Sequence, residues 1–230
     1  MPEFVIERGP SEAFQVVECF GKVKLEKENA ESRLSVGIKN ISDKILETSI
    51  KIRILYLLNE DSVKLSINGL PAVYSRKNPR FPFSLSPGQE ISLQVSAKQG
   101  ILYNLDSLKT QNSDDPKPGK SASSLSIEGF KKFFEKENYG CRFMIGHLVS
   151  KWGSFPVDFK NVHLEISIPR DFDGVFPLSG LWTKSERKGD VEYFFNGPEG
   201  FSGSVFLPKR DVEGFRKLRD AAAKEVFDGK

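Results

Sequence analysis

The segment from Arg33 to Ala97 constrains the fold most strongly, because apolar residues recur there at every second position. This alternation marks residues 34–38, 50–56, 63–67 and 91–95, and turn-forming residues separate the runs. A period of two places one set of side chains on a packed sheet face and the other in water. Asn68-Gly69 follows the third run, and this dipeptide readily adopts the two positive φ angles of a tight hairpin turn. The segment therefore predicts an antiparallel β-sandwich.

Further strands are predicted on both sides of this segment. Two early runs suggest opening strands, with Gly21 as a bulge or turn between them. We predict a mainly β fold of antiparallel, immunoglobulin-like β-sandwich lobes, with a short mid-chain helix and a C-terminal helix. The additional predicted strands are Phe14–Phe20, Val23–Leu25, Val162–Ile168, Val191–Phe195 and Ser204–Leu207.

The phenylalanines are distributed unevenly. Of the 19 phenylalanines, five lie before residue 100 and fourteen fall between Phe130 and Phe227. This asymmetry favours two differently packed lobes. Residues 107–124 carry two prolines and no large apolar residue apart from Leu108, which is typical of a polar loop or linker. The predicted units are an N-terminal sandwich lobe at 1–106, a linker at 107–124, a Phe-rich lobe at 125–208 and a C-terminal amphipathic helix at 209–230.

Helical spacing occurs in two places. Ile127, Phe130 and Phe134 recur at intervals of three and four between Ser126 and Asn138. A second apolar stripe extends from Val212 to Val226. Basic residues in the second helix could contact an anionic membrane surface or a partner, although neighbouring acidic residues offset much of that attraction.

The composition limits the function classes. At 38% hydrophobic and 28% charged residues, the chain can build a core. A net charge of +3 from 34 basic and 31 acidic side chains gives no concentrated basic stripe, so nucleic acid is not an expected partner. No segment is apolar enough to span a bilayer, and the first residues do not resemble a signal peptide.

Two cysteines bear on the cellular compartment. A disulfide between Cys19 and Cys141 would join the first strand to the second lobe and stabilise the fold by restricting the unfolded chain. Two buried thiols acting as small apolar side chains are the alternative, and their sequence positions leave both readings open.

The sequence contains no recognisable catalytic motif, and we predict no cofactor and no bound metal. His163 shares the polar face of its predicted strand with Glu165, which can hydrogen-bond an imidazole. The alternative function is a hydrolase or carbohydrate-active enzyme whose site uses His147, His163 or Asp158. Such a site would need a cleft that joins residues distant in sequence.

Trp152 and Trp182 are the predicted ligand-binding residues, because both stand beside small or polar residues typical of loops. Exposed indole faces can stack on sugar rings or anchor a protein partner. A core position is the competing interpretation for each tryptophan.

Several motifs together resemble a bacterial family of secreted or envelope-anchored immunoglobulin-like domains of unknown function. The residues that carry the resemblance are Ile38-Lys-Asn-Ile-Ser-Asp43, Asn68-Gly69, Leu85-Ser-Pro-Gly-Gln-Glu90, Cys141 and Trp152-Gly153. The resemblance implies a periplasmic or extracellular location if a signal peptide has been removed. The first functional hypothesis is a noncatalytic binding or structural module with an unknown protein or glycan partner. Membrane-surface or partner docking through the C-terminal helix is a further alternative.

Overall fold

The computed structural model describes sixteen β-strands and short helical turns within the residues it covers. Its strands follow the alternating apolar pattern of the sequence, so the mainly β prediction is confirmed. The described residues are 2–7, 13–26, 29–54, 57, 59–100, 143–145, 148–151, 155–156, 160–175, 182–187, 190–197, 204–210, 212–214 and 216–217.

The strands are numbered in chain order. They are β1 (Glu3–Ile6), β2 (Phe14–Leu25), β3 (Asn29–Asn40), β4 (Leu46–Arg53), β5 (Lys64–Ile67), β6 (Leu70–Ala72), β7 (Arg80–Leu85), β8 (Glu90–Gly100), β9 (Phe143–Ile145), β10 (Val149–Lys151), β11 (Phe155–Pro156), β12 (Val162–Pro169), β13 (Phe172–Val175), β14 (Trp182–Arg187), β15 (Asp190–Gly197) and β16 (Ser204–Pro208).

The largest sheet has eight strands in the order β14-β15-β12-β2-β3-β8-β5-β6. Its neighbours are antiparallel except β2 and β12, which run parallel with Cys19 opposite Val162. Asn68 and Gly69 have φ angles of 51° and 78° and form the predicted hairpin turn between β5 and β6. The predicted turn at Pro87-Gly88 is also present, with φ +75° at Gly88, and it leads into β8, which pairs with the earlier strands β3 and β5.

A five-stranded sheet, in the order β11-β10-β1-β4-β7, provides the opposing layer of the core. Here β1 runs parallel to β10 and antiparallel to β4. Phe4, Ile50 and Ile52 of this sheet join Leu34 and Leu93 of the eight-stranded sheet in one apolar core, all at most 1% exposed. A smaller antiparallel sheet, β13-β16-β9, adds Phe172 and Phe206 to the same core.

Strands from both predicted lobes are combined in the two larger sheets. β12, β14 and β15 extend the sheet built by β2 and β3, and β10 pairs with β1. The proposed domain boundaries and the immunoglobulin-like arrangement stay predictions. Residues 209–210, 212–214 and 216–217 are helical, and the rest of the predicted C-terminal helix lies outside the described residues. The predicted linker and mid-chain helix lie outside them as well.

The opening segment differs from its prediction. β2 is one continuous strand, and Gly21 is an ordinary paired residue opposite Leu34. The irregularity lies between Val16 and Glu18, where one extra residue in β2 interrupts the register with β3. Such a bulge shifts the alternation by one position, so that Val16 and Cys19 both enter the core.

Candidate functional site

An apolar groove lies between the two larger sheets near the ends of their strand orders. It has a volume of about 260 Å³, including its opening to solvent. The five-stranded sheet contributes residues from β4 and β7, and the eight-stranded sheet contributes residues from β5 and β8. The lining residues are Ile50, Ile52, Ile67, Phe81, Pro82, Phe83, Ile91 and Leu93, and this set is called the edge groove below.

The alternation of β4, β7 and β8 directs these side chains into the groove. Ile50 lies opposite Phe81 in the β4–β7 pair, and paired residues of neighbouring strands share a sheet face. Ile67 lies opposite Leu93 in the β5–β8 pair. Phe81 and Ile67 are only partly buried, so the groove wall is accessible at the sheet edges. The edge groove therefore offers a surface that can contact an apolar group without breaking a backbone hydrogen bond.

Prolines occupy the outer side of the two edge strands at this groove. Ile52 N donates to Pro79 O at 2.9 Å, so along β7 the backbone groups of Phe81 and Phe83 point to β4 and those of Pro82 point away. The direction of the backbone groups also alternates along β6, counted from the Asn68-Gly69 turn. The backbone groups of Pro71 therefore point away from β5. Proline has no backbone N–H to donate, so both edges are poor templates for an added strand.

A second group, the sheet-face cluster of Phe20, Lys22, His163 and Glu165, lies on the outer face of the eight-stranded sheet. The Phe20 and His163 rings stack with their centroids 5.4 Å apart and their planes 8° apart. His163 Nε2 lies 3.3 Å from Glu165 Oε1, a contact that their spacing in sequence allows. Lys22 Nζ donates to Glu165 Oε2 at 2.9 Å, and this bond holds the pKa of Glu165 below its ordinary value.

The sheet-face cluster has an open, charge-paired geometry. The His163 side chain is 41% exposed, and the Glu165 carboxylate is shared between His163 and Lys22. His163 does not line the edge groove. His147 and Asp158, the other predicted catalytic residues, lie outside the described residues. Within the described part of the chain, no three His, Cys, Asp or Glu side chains come together in a way that could hold a metal ion.

A third polar group joins the small sheet to the eight-stranded sheet. The Tyr193 hydroxyl donates to Asp173 Oδ1, Gly174 N donates to the same oxygen at 2.9 Å, and Lys184 Nζ lies 3.6 Å from it. Burial opposes ionisation of Asp173, yet these donors outweigh it and lower its pKa. Burial and the neighbouring Asp173 carboxylate raise the pKa of Tyr193 above its ordinary value of about 10. This cluster therefore links β13 of the small sheet to β14 and β15 of the eight-stranded sheet, and none of its residues lines the edge groove.

Of the two tryptophans predicted to bind a ligand, Trp182 lies within the described residues and Trp152 does not. Trp182 begins β14, is partly buried and packs against Phe195 with ring centroids 5.3 Å apart and planes tilted by 52°. It therefore contacts the core through at least part of its ring. Trp152 lies outside the described residues. A ligand-binding role for either residue stays a prediction.

Cys19 is a buried free thiol in the described part of the chain, 1% exposed. Burial, with a smaller contribution from the Glu18 carboxylate, raises the pKa of its thiol to about 12. Such a thiol is a poor nucleophile at neutral pH. Cys141 lies outside the described residues, so the pairing of the two cysteines stays a prediction.

Sequence reasoning did not identify the edge groove as a site. One signal was available, because Pro82 stands in the middle of the alternating run Phe81-Pro-Phe83, and a proline inside a strand marks a sheet edge. Two aromatic residues flanking an edge proline indicate apolar side chains next to solvent. The opposite wall comes from residues 67, 91 and 93, and no local pattern relates these positions to Phe81.

No protein-family model and no curated protein matches the chain. Among solved structures, a candidate nutrient-binding protein from Legionella pneumophila is similar at 7% identity and a TM-score of 0.49, over 90% of this chain and 71% of that one. An M1 zinc metallopeptidase from Deinococcus radiodurans is 16% identical with a TM-score of 0.44, over 86% of this chain. The chain spans only 43% of that metallopeptidase. Likenesses of this degree assign no activity to the chain.

In the described part of the chain, no helix is long and apolar enough to cross a membrane.

Proposed function

We propose that this chain is a noncatalytic binding or structural module whose edge groove receives an apolar group of its ligand or partner. The supporting observation is the lining itself, in which all eight residues are apolar and come from both sheets. Ligand sites are concave and mostly apolar, with few polar groups. A wall without proton donors or acceptors can bind an apolar group and offers nothing for acid–base chemistry.

The volume of the groove limits the size of that group. The walled space of the edge groove is only about 20 Å³, close to what one water molecule occupies on the same measure, and the rest of its volume opens to solvent. The groove can therefore receive a methyl group or the edge of a ring, but it does not enclose a whole aromatic ring. A larger ligand would place only one such group inside, and the rest would lie over the edge strands.

Isoleucine methyl NMR provides a direct test, because Ile50, Ile52, Ile67 and Ile91 all line the groove. Protein labelled at the isoleucine Cδ1 methyl groups is titrated with indole or toluene as the probe. We expect saturable shifts at these four methyl groups. Ile41 and Ile45 are 51% and 63% exposed and lie outside the lining, so their methyl groups serve as internal controls.

A blocking variant completes this test. Ile67→Phe adds volume at the partly buried rim of the groove, and it should weaken probe binding while the dispersion of the other methyl signals is kept. Shifts of equal size at Ile41 and Ile45, or no saturable shift at the groove methyl groups, would contradict the proposal.

We further propose that the module works in the bacterial periplasm or outside the cell. The motif resemblance supports this location. Mass analysis of freshly isolated native protein, without reductant and after thiol labelling, tests it. A Cys19–Cys141 disulfide would favour export, since disulfides persist in oxidising compartments. Two free thiols would count against it.

A further inference from the structure

The turn between β5 and β6 carries the dipeptide Asn68-Gly69, which suits a tight turn but is also chemically labile. Asn68 and Gly69 are both exposed. Glycine has no side chain, so its backbone nitrogen can closely approach the side-chain amide of the preceding asparagine. When Gly69 N attacks Asn68 Cγ, ammonia leaves and a cyclic imide forms. Water then opens the imide, either at Cγ to give aspartate or at the main-chain carbonyl carbon of residue 68 to give isoaspartate.

The closed hairpin keeps the reacting atoms apart. Asn68 Oδ1 accepts from Ser92 N of β8 at 2.8 Å, so the Asn68 side chain lies toward β8 and away from Gly69 N. The reaction therefore requires the hairpin to open. β6 is the outermost strand of the eight-stranded sheet, and it joins β5 through three residue pairs. Edge elements held by so few pairs open at a low free-energy cost.

Isoaspartate at residue 68 is incompatible with the closed turn. Its main chain passes through Cβ and Cγ, which adds a carbon atom to the turn and moves the carbonyl that Ser92 N binds into the main chain. The two-residue turn requires positive φ angles at both central residues, which are 51° and 78°, and has no place for an extra atom. Ordinary aspartate keeps the length of the main chain, and its carboxylate can still accept from Ser92 N. Only the isoaspartate product should therefore release β6.

Release of β6 changes the edge of the eight-stranded sheet. Asn68 N donates to Ser92 O at 2.7 Å, so along β5 the backbone groups of Leu65 and Ile67 point the other way, to β6. When β6 leaves, the N–H and C=O groups of these two residues lose their strand partner. Pro71 protects the outer side of β6, whereas β5 contains no proline. The released hairpin thus leaves β5 as a less protected edge.

We propose that Asn68 is a deamidation site at which conversion to isoaspartate traps the β5–β6 hairpin in an open state. This inference concerns the hairpin alone and holds whether or not the edge groove binds an apolar group. Asn196-Gly197 provides a comparison within the same chain. It lies in β15, which has β14 and β12 as neighbours, and Asn196 is opposite His163. A strand with a neighbour on each side opens less readily than an edge strand, so Asn68 should react faster.

Ageing of the purified protein tests the site. Wild type and Asn68→Gly are kept in mildly alkaline buffer, which favours attack by the backbone nitrogen, and peptide mass spectrometry with a fragmentation that distinguishes isoaspartate from aspartate follows the products. We expect isoaspartate to accumulate at residue 68 and more slowly at residue 196. Asn68→Gly keeps a Gly-Gly dipeptide that the turn accepts, and it has no amide to lose. Faster modification at residue 196 than at residue 68 would overturn the assignment.

Hydrogen exchange at the Leu65 and Ile67 amides measures the release of β6. Both amides should exchange at least about tenfold faster in the aged fraction that carries isoaspartate at residue 68 than in unaged wild type. Aged Asn68→Gly and freshly prepared Asn68→Asp should match unaged wild type, and the Leu34 amide of β3 serves as an internal control. Unchanged exchange in the isoaspartate fraction would show that β6 stays paired. Equally fast exchange in Asn68→Asp would show that charge alone releases it. Either result would overturn the inference.

Discussion

Asn40 joins the two larger sheets through its side chain, and its replacement by alanine tests how much of the sandwich depends on that link. The side chain is fully buried at the end of β3. Its Nδ2 donates to Leu85 O of β7 at 3.0 Å and to Lys44 O at 2.8 Å. Its Oδ1 accepts from Ser42 N at 2.9 Å and Ser42 Oγ at 2.8 Å. One amide thus holds the end of each sheet and the loop between β3 and β4.

The expected cost of Asn40→Ala follows from these contacts. The bond to Leu85 O is buried, so losing its donor should cost about 1–2 kcal/mol. The bonds to Ser42 and Lys44 are partly exposed, and water can replace them at a cost of about 0.5 kcal/mol each. With three such bonds, the free energy of unfolding should fall by about 2.5–3.5 kcal/mol. With a urea m-value of about 3 kcal/mol/M, the midpoint should fall by roughly 0.8–1.2 M.

Urea unfolding followed by both far-UV circular dichroism and tryptophan fluorescence measures this change. Asn59→Ala is the matched control, because Asn59 Oδ1 accepts only a local bond, from Asp61 N at 3.0 Å, in an exposed turn. We expect that control to lose about 0.5–1 kcal/mol. Equal midpoints for the two variants would refute the reasoning, since the link between the sheets would then contribute no more than a surface cap.

Three further predictions concern other groups of the fold. The pKa of Tyr193 is raised in the folded state, so its protonated hydroxyl stabilises the fold below pH 10, and this stabilisation is lost as the pH rises above 10. Urea midpoints measured from pH 8 to 11 should therefore fall less steeply for Tyr193→Phe than for the wild type. In reduced protein, buried Cys19 should react with iodoacetamide at least about 100-fold more slowly in the native state than in urea, and mass spectrometry of the modified peptide checks this. Pro82→Thr restores an outward donor on β7 and should increase concentration-dependent aggregation measured by light scattering, whereas Ser84→Thr, also on β7, should not.

The local pattern of the sequence was enough to predict the longer strands and two turns, but not the short strands β1, β13 and β14. Alternation identified β12 and β15, and Asn68-Gly69 identified the hairpin, because these features depend on neighbouring residues. The spacing of His163 and Glu165 also allowed the hydrogen bond between them, since residues two apart on a strand share a face. The bulge in β2 was misplaced at Gly21, because two adjacent valines at 16 and 17 conceal which of them is the extra residue.

Contacts between distant segments could not be predicted in this way. Phe20 and Lys22 complete the sheet-face cluster from β2, and Lys22 is 143 residues from Glu165. Their meeting depends on the parallel pairing of β2 with β12, and parallel pairing requires a long crossover that leaves no local signal. The edge groove has the same origin, because its two walls come from different sheets.

The edge prolines show where local and distant information combine. Pro71 and Pro82 are each recognisable as edge residues from sequence alone, since a proline cannot donate to a central ladder. Only the fold reveals that the two edges flank one groove. An apolar surface left open between two edges, both protected against strand addition, is expected of a contact made by side chains.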